Sequence, residues 1–344
     1  MIRYLFFVLT IGLSTRCFAQ VKAAHDPDDS IVVEKNKGGS AGVSAFSAPW
    51  RWQQVDADFG VLPASMHVFR TSDSLDGRPQ LAYYVSVPLK EKSALFTSQV
   101  GYGKRYTPAQ YYEQEGHPLL VINTSFFSFA TNGNLNLVVR DGKMLAWNQP
   151  SRRGRKDSVY HYTTRSALGI TAGRKADVAW IFTDSTQPVP YAFEDRPAQG
   201  VGGDSIPTLA ALHDSHWKRW KMQTAVGGGP VLVYNGAVRV TNEEEGLFIH
   251  GEKDMHPRSA IGYTRDGRII VLAVQGRTPG VAAGVTLAQE AKILRDLGCY
   301  EAINLDGGGS SCMLVNGKET IHPSDKGGER PVPAVFLIGP ATSK

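Results

Sequence analysis

Asp306 closes an apolar run, Ala302-Ile303-Asn304-Leu305, and stands directly before Gly307-Gly308-Gly309-Ser310-Ser311. A glycine run adds conformational-entropy cost to folding, so three in succession need a backbone reason. The useful reasons are positive φ and close approach of bare N–H groups to a ligand, often an anion. A carboxylate delivered by a strand into such a turn is placed for chemistry; the plain alternative is a tight turn capped by the Asp. Glu290 is the second unusual carboxylate. It falls within the stripe Leu287, Leu294, Leu297, three residues after the first and four before the second, on one face of a helix. A carboxyl on a core-facing stripe must be paired, be protonated or line a cavity. A buried ion pair that holds the helix down satisfies the same pattern.

Two arginines add a positive counterpart. His256-Pro257-Arg258-Ser259-Ala260-Ile261-Gly262 leads Arg258 into a strand, and Gly276-Arg277 ends the partner strand of that hairpin. Both guanidiniums then belong at one sheet edge, where a pair of them suits a phosphate; singly, each reads as a surface ion-pair partner. Phosphate motifs of the nucleotide-binding kind do not explain the pattern, because Gly317-Lys318 is followed by Glu319. HExxH is absent, and His213-Asp214-Ser215-His216 offers only a weak metal pattern with Asp306. Ser310 has no discernible Ser-His-Asp ordering around it.

The elements that position these groups are mostly strands. Gln80–Leu89 alternates Leu81, Tyr83, Val85 and Val87 on one side, the period of a half-buried strand. Asp141-Gly142, Asn235-Gly236, Asp266-Gly267 and Asn316-Gly317 supply the positive φ of tight hairpin turns. Two helices are expected, one opened by Thr107-Pro108 and one by Thr286 with Gln289 completing a capping box, ended by Gly298. The predicted fold is α+β, a mostly antiparallel or mixed sheet with a few packed helices in a single domain.

Residues 1–19 read as a secretory signal peptide: Arg3, an apolar stretch from Tyr4 to Leu13, and Cys17-Phe18-Ala19 before Gln20. The stretch falls short of the roughly 20 apolar residues that span a bilayer. Residues 20–48 read as a flexible lead-in, and residues 49–344 as the folded domain, secreted or periplasmic, with no stable membrane insertion after the signal is removed. Removing Arg3 and Arg16 lowers the formal charge from +5 to +3. That balance argues against a nucleic-acid partner, which calls for a clustered basic stripe. The basic run Arg152–Lys156 reads as a solvated loop. Cys299 and Cys312 remain; in an oxidising compartment they are either bridged or separately buried.

Taken together, NTSFF from Asn123, GGGPVLV with Asn235-Gly236, HPRSAIG, Gly276-Arg277, GVTL from Gly284, NLDGGGSS and HPSDKGGERPV resemble the phosphodiester glycosidase family. The chain departs from that pattern at Gln275, where the family usually has Asp, and at Cys312, where a small residue is typical. The resemblance implies a hydrolase that cleaves the glycosidic bond of a sugar-1-phosphodiester, N-acetylglucosamine-1-phosphodiester-like. No cofactor is expected and no metal ligands are assigned; a metal-dependent phosphodiesterase using Asp306 with His213 and His216 is the weaker alternative. Glycoside cleavage typically uses two carboxyl groups, and the expected pair is Asp306 and Glu290, the latter with a raised pKa. Arg258, Arg277 and Arg330 are expected on the phosphate. Asn123, Ser310 and the Gly307, Gly308 and Gly309 amides are expected on sugar or phosphate, with His256 as a lesser acid or anion ligand. The alternative is a non-catalytic envelope protein that binds an anionic polysaccharide in the same cleft.

Overall fold

The computed structural model describes residues 50–149, 152–153, 160–202, 209, 216–247 and 253–341. The expected signal peptide, the lead-in and His213 lie outside them. Every described residue falls within one compact unit, Ser44–Lys344.

Strands dominate, and every strand pairing among the described residues is antiparallel. An eight-stranded sheet runs in the order Gln53–Gln54, His67–Thr71, Ala82–Pro88, Arg268–Val274, Arg258–Thr264, Cys299–Asn304, Val231–Tyr234, Ala237–Val238. A seven-stranded sheet is centred on Ala176–Phe182, Arg165–Ile170 and Thr224–Gly227, and a five-stranded one on Leu120–Asn123 and Ala334–Pro340. The expected hairpins form at Asp141-Gly142, Asn235-Gly236, Asp266-Gly267 and Asn316-Gly317; the Asp and Asn at 141, 235 and 316 and all four glycines adopt positive φ. The balance between strand and helix is more β than the α+β expectation. Only two α-helices appear among the described residues, α1 (Pro108–Gln114) and α2 (Leu287–Asp296), each with its capping box formed.

The eight-stranded sheet is apolar on both faces. Along Arg268–Val274, Ile269, Val271 and Ala273 face the main core with Val85, Ile261 and Ile303, while Ile270, Leu272 and Val274 face α2 through Leu287, Ala291 and Leu294. Burial on both sides explains the unbroken run of apolar residues there. It also corrects the half-buried reading of Ala82–Pro88, where Ala82 and Ser86 on the supposedly wet face are buried too. Each Leu so buried contributes roughly 2 kcal/mol.

Glu245 ties the seven-stranded sheet to the eight-stranded one. Its carboxylate accepts hydrogen bonds from Ser166 N (3.0 Å), Ser166 Oγ (3.0 Å), Trp180 Nε1 (3.1 Å), Val231 N (2.9 Å) and Thr241 Oγ1 (2.7 Å). Gly229 makes room for it, since a Cβ there would stand 2.9 Å from Glu245 Oε2.

Cys299 and Cys312 are separate, buried free thiols. Burial pushes both upward in pKa, so they are inert as nucleophiles. Arg152-Arg153 pairs with Tyr160-His161 in a short strand, where a solvated loop was expected.

Candidate active site

The register of the eight-stranded sheet assembles one end of it. Arg258 pairs with Val274, and Ala260 pairs with Asn304. Arg258, the Gly276-Arg277 turn and Asp306 therefore emerge at the same edge, as the spacing predicted. The Leu120–Asn123 strand of the five-stranded sheet meets this edge, and Asp306 N–H donates to the Thr124 carbonyl at 2.8 Å.

Glycines make the meeting possible. A Cβ at Gly276 would stand 2.7 Å from Pro257 N, and one at Gly284 would stand 2.5 Å from the His256 carbonyl oxygen. The three segments thus pack backbone against backbone. Within the triplet, Gly308 has φ +61° and lies under Arg277, with Nη2 3.2 Å from the position of a Cβ. A Cβ at Gly309 would fall 2.0 Å from Asp325 Oδ1. The run serves close approach of side chains from other segments. Its first two amides are already committed, Gly307 N–H to the Asp306 carboxylate and Gly308 N–H to the Pro257 carbonyl (2.9 Å).

Asp306 is partly exposed, yet its carboxyl is packed closely enough that desolvation pushes its pKa up to about 7. Ser310, Arg330 and Gly307 N–H act in the opposite direction and lose to burial. Arg330 is held by a bidentate pair with Asp325, Nε to Oδ2 at 2.7 Å and Nη2 to Oδ1 at 2.8 Å, and reaches Ser310 Oγ at 3.4 Å. Arg277 Nη2 lies 3.2 Å from His256 Nδ1.

The remaining candidates stand behind this surface. Arg258 is 4% exposed, donates to the carbonyls of Val285 (3.0 Å) and Asp254 (3.0 Å), and has its pKa lowered by burial. Glu290 is fully buried on α2, and neither carboxyl oxygen finds a hydrogen-bond partner. Burial raises its pKa to about 8, against the opposing pull of Arg258. Glu290 is therefore a fully buried carboxyl within the electrostatic reach of Arg258, in surroundings that favour its protonated form. Asn123 is likewise enclosed: Nδ2 donates to the Asp306 carbonyl at 2.5 Å, and Oδ1 accepts from Ser259 Oγ (2.8 Å) and Cys312 N (3.1 Å). Gln275 accepts from His322 N at 2.9 Å and so anchors the segment that leads to Asp325 and Arg330.

Sequence reasoning missed Ser259, Asp325 and Thr124 as parts of this assembly. Asp325 was legible only as a member of the HPSDKGGER run. Four buried polar atoms on the segments that form the turn have no protein partner: Thr124 Oγ1, Ser125 Oγ, Asn304 Oδ1 and Ser311 Oγ. Buried polar atoms are nearly always satisfied, so such a cluster marks a place where a polar ligand or water belongs.

A carboxylate with a raised pKa at a sheet edge, with Arg330 acting on it and Arg277 over the glycine turn that follows, makes a site suited to hydrolysis of an anionic substrate on a predominantly β scaffold. The phosphodiester glycosidase family model matches residues 116–339, well over half of the chain, and the chain belongs to that family. Among individual relatives, mouse N-acetylglucosamine-1-phosphodiester alpha-N-acetylglucosaminidase is 37% identical over 83 residues, covering 24% of this chain and 16% of the relative. The SPbeta prophage-derived uncharacterized protein YomE of Bacillus subtilis is 42% identical over 83 residues, covering 24% and 13%. The matched segment thus spans less than a fifth of either relative. In structure, the zebrafish N-acetylglucosamine-1-phosphodiester alpha-N-acetylglucosaminidase catalytic domain, auto-inhibited by its pro-peptide, superposes with a TM-score of 0.55 at 20% identity over 85% of this chain and 88% of that one. A hypothetical protein from Synechocystis gives 0.55 at 15% identity over 85% and 64%. At such identities the likeness shows the fold alone.

Proposed function

We propose that the protein is an exported hydrolase that cleaves the glycosidic bond of sugar-1-phosphodiesters, with N-acetylglucosamine-1-phosphodiesters as the substrate class and envelope glycan or exopolysaccharide turnover as the setting. The observation that carries this reading is Asp306, a partly exposed residue whose desolvated carboxyl has its pKa raised to about 7, with Arg330 acting on it and Arg277 lying over Gly308 two residues on. Export rests on the residue pattern of 1–19; no helix among the described residues is long and apolar enough to cross a membrane.

In this reading Arg277 and Arg330 hold the phosphate and Asp306 faces the anomeric carbon. Cleavage breaks the bond between that carbon and the phosphate oxygen, and the electron pair departs with the phosphate. The departing group is a phosphate monoester, a weak base, so its departure needs little protonation, and guanidiniums suffice to stabilise the charge. Ionised Asp306 either attacks the anomeric carbon or takes the proton of the attacking water. Glu290 and Asn123 then act through others, Glu290 through Arg258 and Asn123 through the Asp306 backbone. Arg258 and His256 shape the arginine side of the cleft.

The test is release of free sugar from N-acetylglucosamine-1-phosphate esters and UDP-sugars, with Asp306→Asn alongside. Sugar released by the wild type and not by the folded variant supports the scheme; equal turnover by both overturns it. Binding of the same ligands with no release favours the polysaccharide-binding alternative.

A further inference from the structure

Beside the Asp306 site, residues 126–135 fold back on themselves. Leu135 N–H donates to the Phe126 carbonyl at 2.8 Å, Ser128 N–H donates to the Gly133 carbonyl at 3.0 Å, and Phe127 pairs with Asn134 across an antiparallel bridge. One side of this turn belongs to the site. Phe129 lies against Phe127 with ring centroids 4.7 Å apart, and the Arg330 guanidinium sits 5.4 Å from its ring.

The other side walls a groove of about 480 Å³, within the size range of small-ligand clefts. Val100 and Ala146 give it an apolar floor; Tyr102 and Trp147, 73% and 41% exposed, flank it. Two large aromatics left in water on one groove are ready-made stacking surfaces. The polar lining comes from amides, Asn132, Asn134 and Gln149 among them, and no charged side chain is among the described lining residues. Asn134 Oδ1 is buried and has no hydrogen-bond partner in the protein, so it lacks a donor that a ligand can bring.

Two aromatic flanks and an unpartnered amide acceptor, with no charge among the described lining residues, together describe a ligand with apolar ring faces and hydroxyl donors. We propose that this groove is a carbohydrate subsite, which takes an oligosaccharide with its pyranose rings against Tyr102 and Trp147 and a hydroxyl on Asn134 Oδ1. Because the turn at 126–135 is shared by the groove and Arg330, the bound chain is the portion beyond the phosphate. That second clause rests on the phosphodiester reading; oligosaccharide binding does not.

The experiment titrates the full chain with chitotetraose, maltotetraose and isomaltotetraose, read by tryptophan fluorescence and calorimetry. At least one tetrasaccharide binds, and Trp147→Ala and Tyr102→Ala each weaken it about tenfold or more. Melting temperature and hydrolysis of methyl N-acetylglucosaminyl phosphate, which is too short to reach the groove, stay at wild-type values in both variants. No binding of any tetrasaccharide up to about 10 mM, a Kd weaker than roughly −3 kcal/mol can sustain, overturns the subsite. So does binding that both substitutions leave unchanged. Tetrasaccharide binding without hydrolysis of any phosphodiester keeps the subsite and removes the glycosidase reading instead.

Discussion

Asn123 ends a strand of the five-stranded sheet, Asp306 follows a strand of the eight-stranded one, and a 2.5 Å hydrogen bond joins them, from the Asn123 side-chain amide to the Asp306 main-chain carbonyl. With Ser259 and Cys312 N–H on its oxygen, Asn123 has a partner for each end of its amide. Asn123→Ala removes three buried bonds and leaves their partners unsatisfied. The expected loss is about 2–4 kcal/mol in urea unfolding. Turnover falls with it, because the Asp306 turn loses its tether.

Asp306→Asn changes the charge and little else, so it is expected to keep the wild-type melting temperature and lose about three orders of magnitude in kcat. In the proposed scheme the ionised form reacts, and burial pushes the carboxyl's pKa up to about 7, so wild-type kcat/KM is expected to rise as pH passes through about 7 and then level. A profile flat from pH 5 to 9 would contradict Asp306 as the reacting carboxylate.

Glu290 predicts a pH dependence of stability with a definite sign. Its folded pKa, about 8, lies above the ordinary carboxyl value of 4.5, so the native state binds the extra proton. Stability is full below pH 4.5 for this group and declines as pH rises toward 8, by on the order of a few kcal/mol at most. Glu290→Gln is neutral at every pH and should flatten that slope in melting curves between pH 5 and 8.

Gly309→Ala is expected to disrupt the site despite the size of one methyl group. The added carbon would lie 2.0 Å from Asp325 Oδ1 and 2.3 Å from Arg330 Nη2, so the Arg330–Asp325 pair must part or the turn must move. Activity should fall about a hundredfold through KM as well as kcat, by the sensitivity of such sites to displacements of about 1 Å. A control at Gly327, where a Cβ meets nothing within 4 Å, should be tolerated.

Much of this was legible in local sequence. The hairpin dipeptides, the two capping boxes and the Gly298 stop are each decided by φ requirements or by bonds within four residues, so they read directly from residue type. Glu290 was legible as an anomaly because helical period alone puts it on the buried stripe. Its lack of a hydrogen-bond partner was not, since that depends on where Arg258 directs its donors, to Val285 and Asp254. The glycine triplet was read as a ligand cradle because sequence shows missing side chains and not what fills the space they leave. Asp325, Arg330 and Arg277 fill it here.

The sequence by itself determined which short segments are strands, turns and helices and which residues are candidates for chemistry, because those follow from side-chain type and from contacts close along the chain. Only the tertiary structure decided which of the two acidic residues is partly exposed. Asp306 and Glu290 lie sixteen positions apart, and both gain raised pKa values from burial. The register of Arg258–Thr264 against Cys299–Asn304 brings one to the sheet edge, while the packing of α2 on the sheet's other face buries the other. Register and packing are long-range properties, set by which apolar faces bury one another, and no local pattern records them.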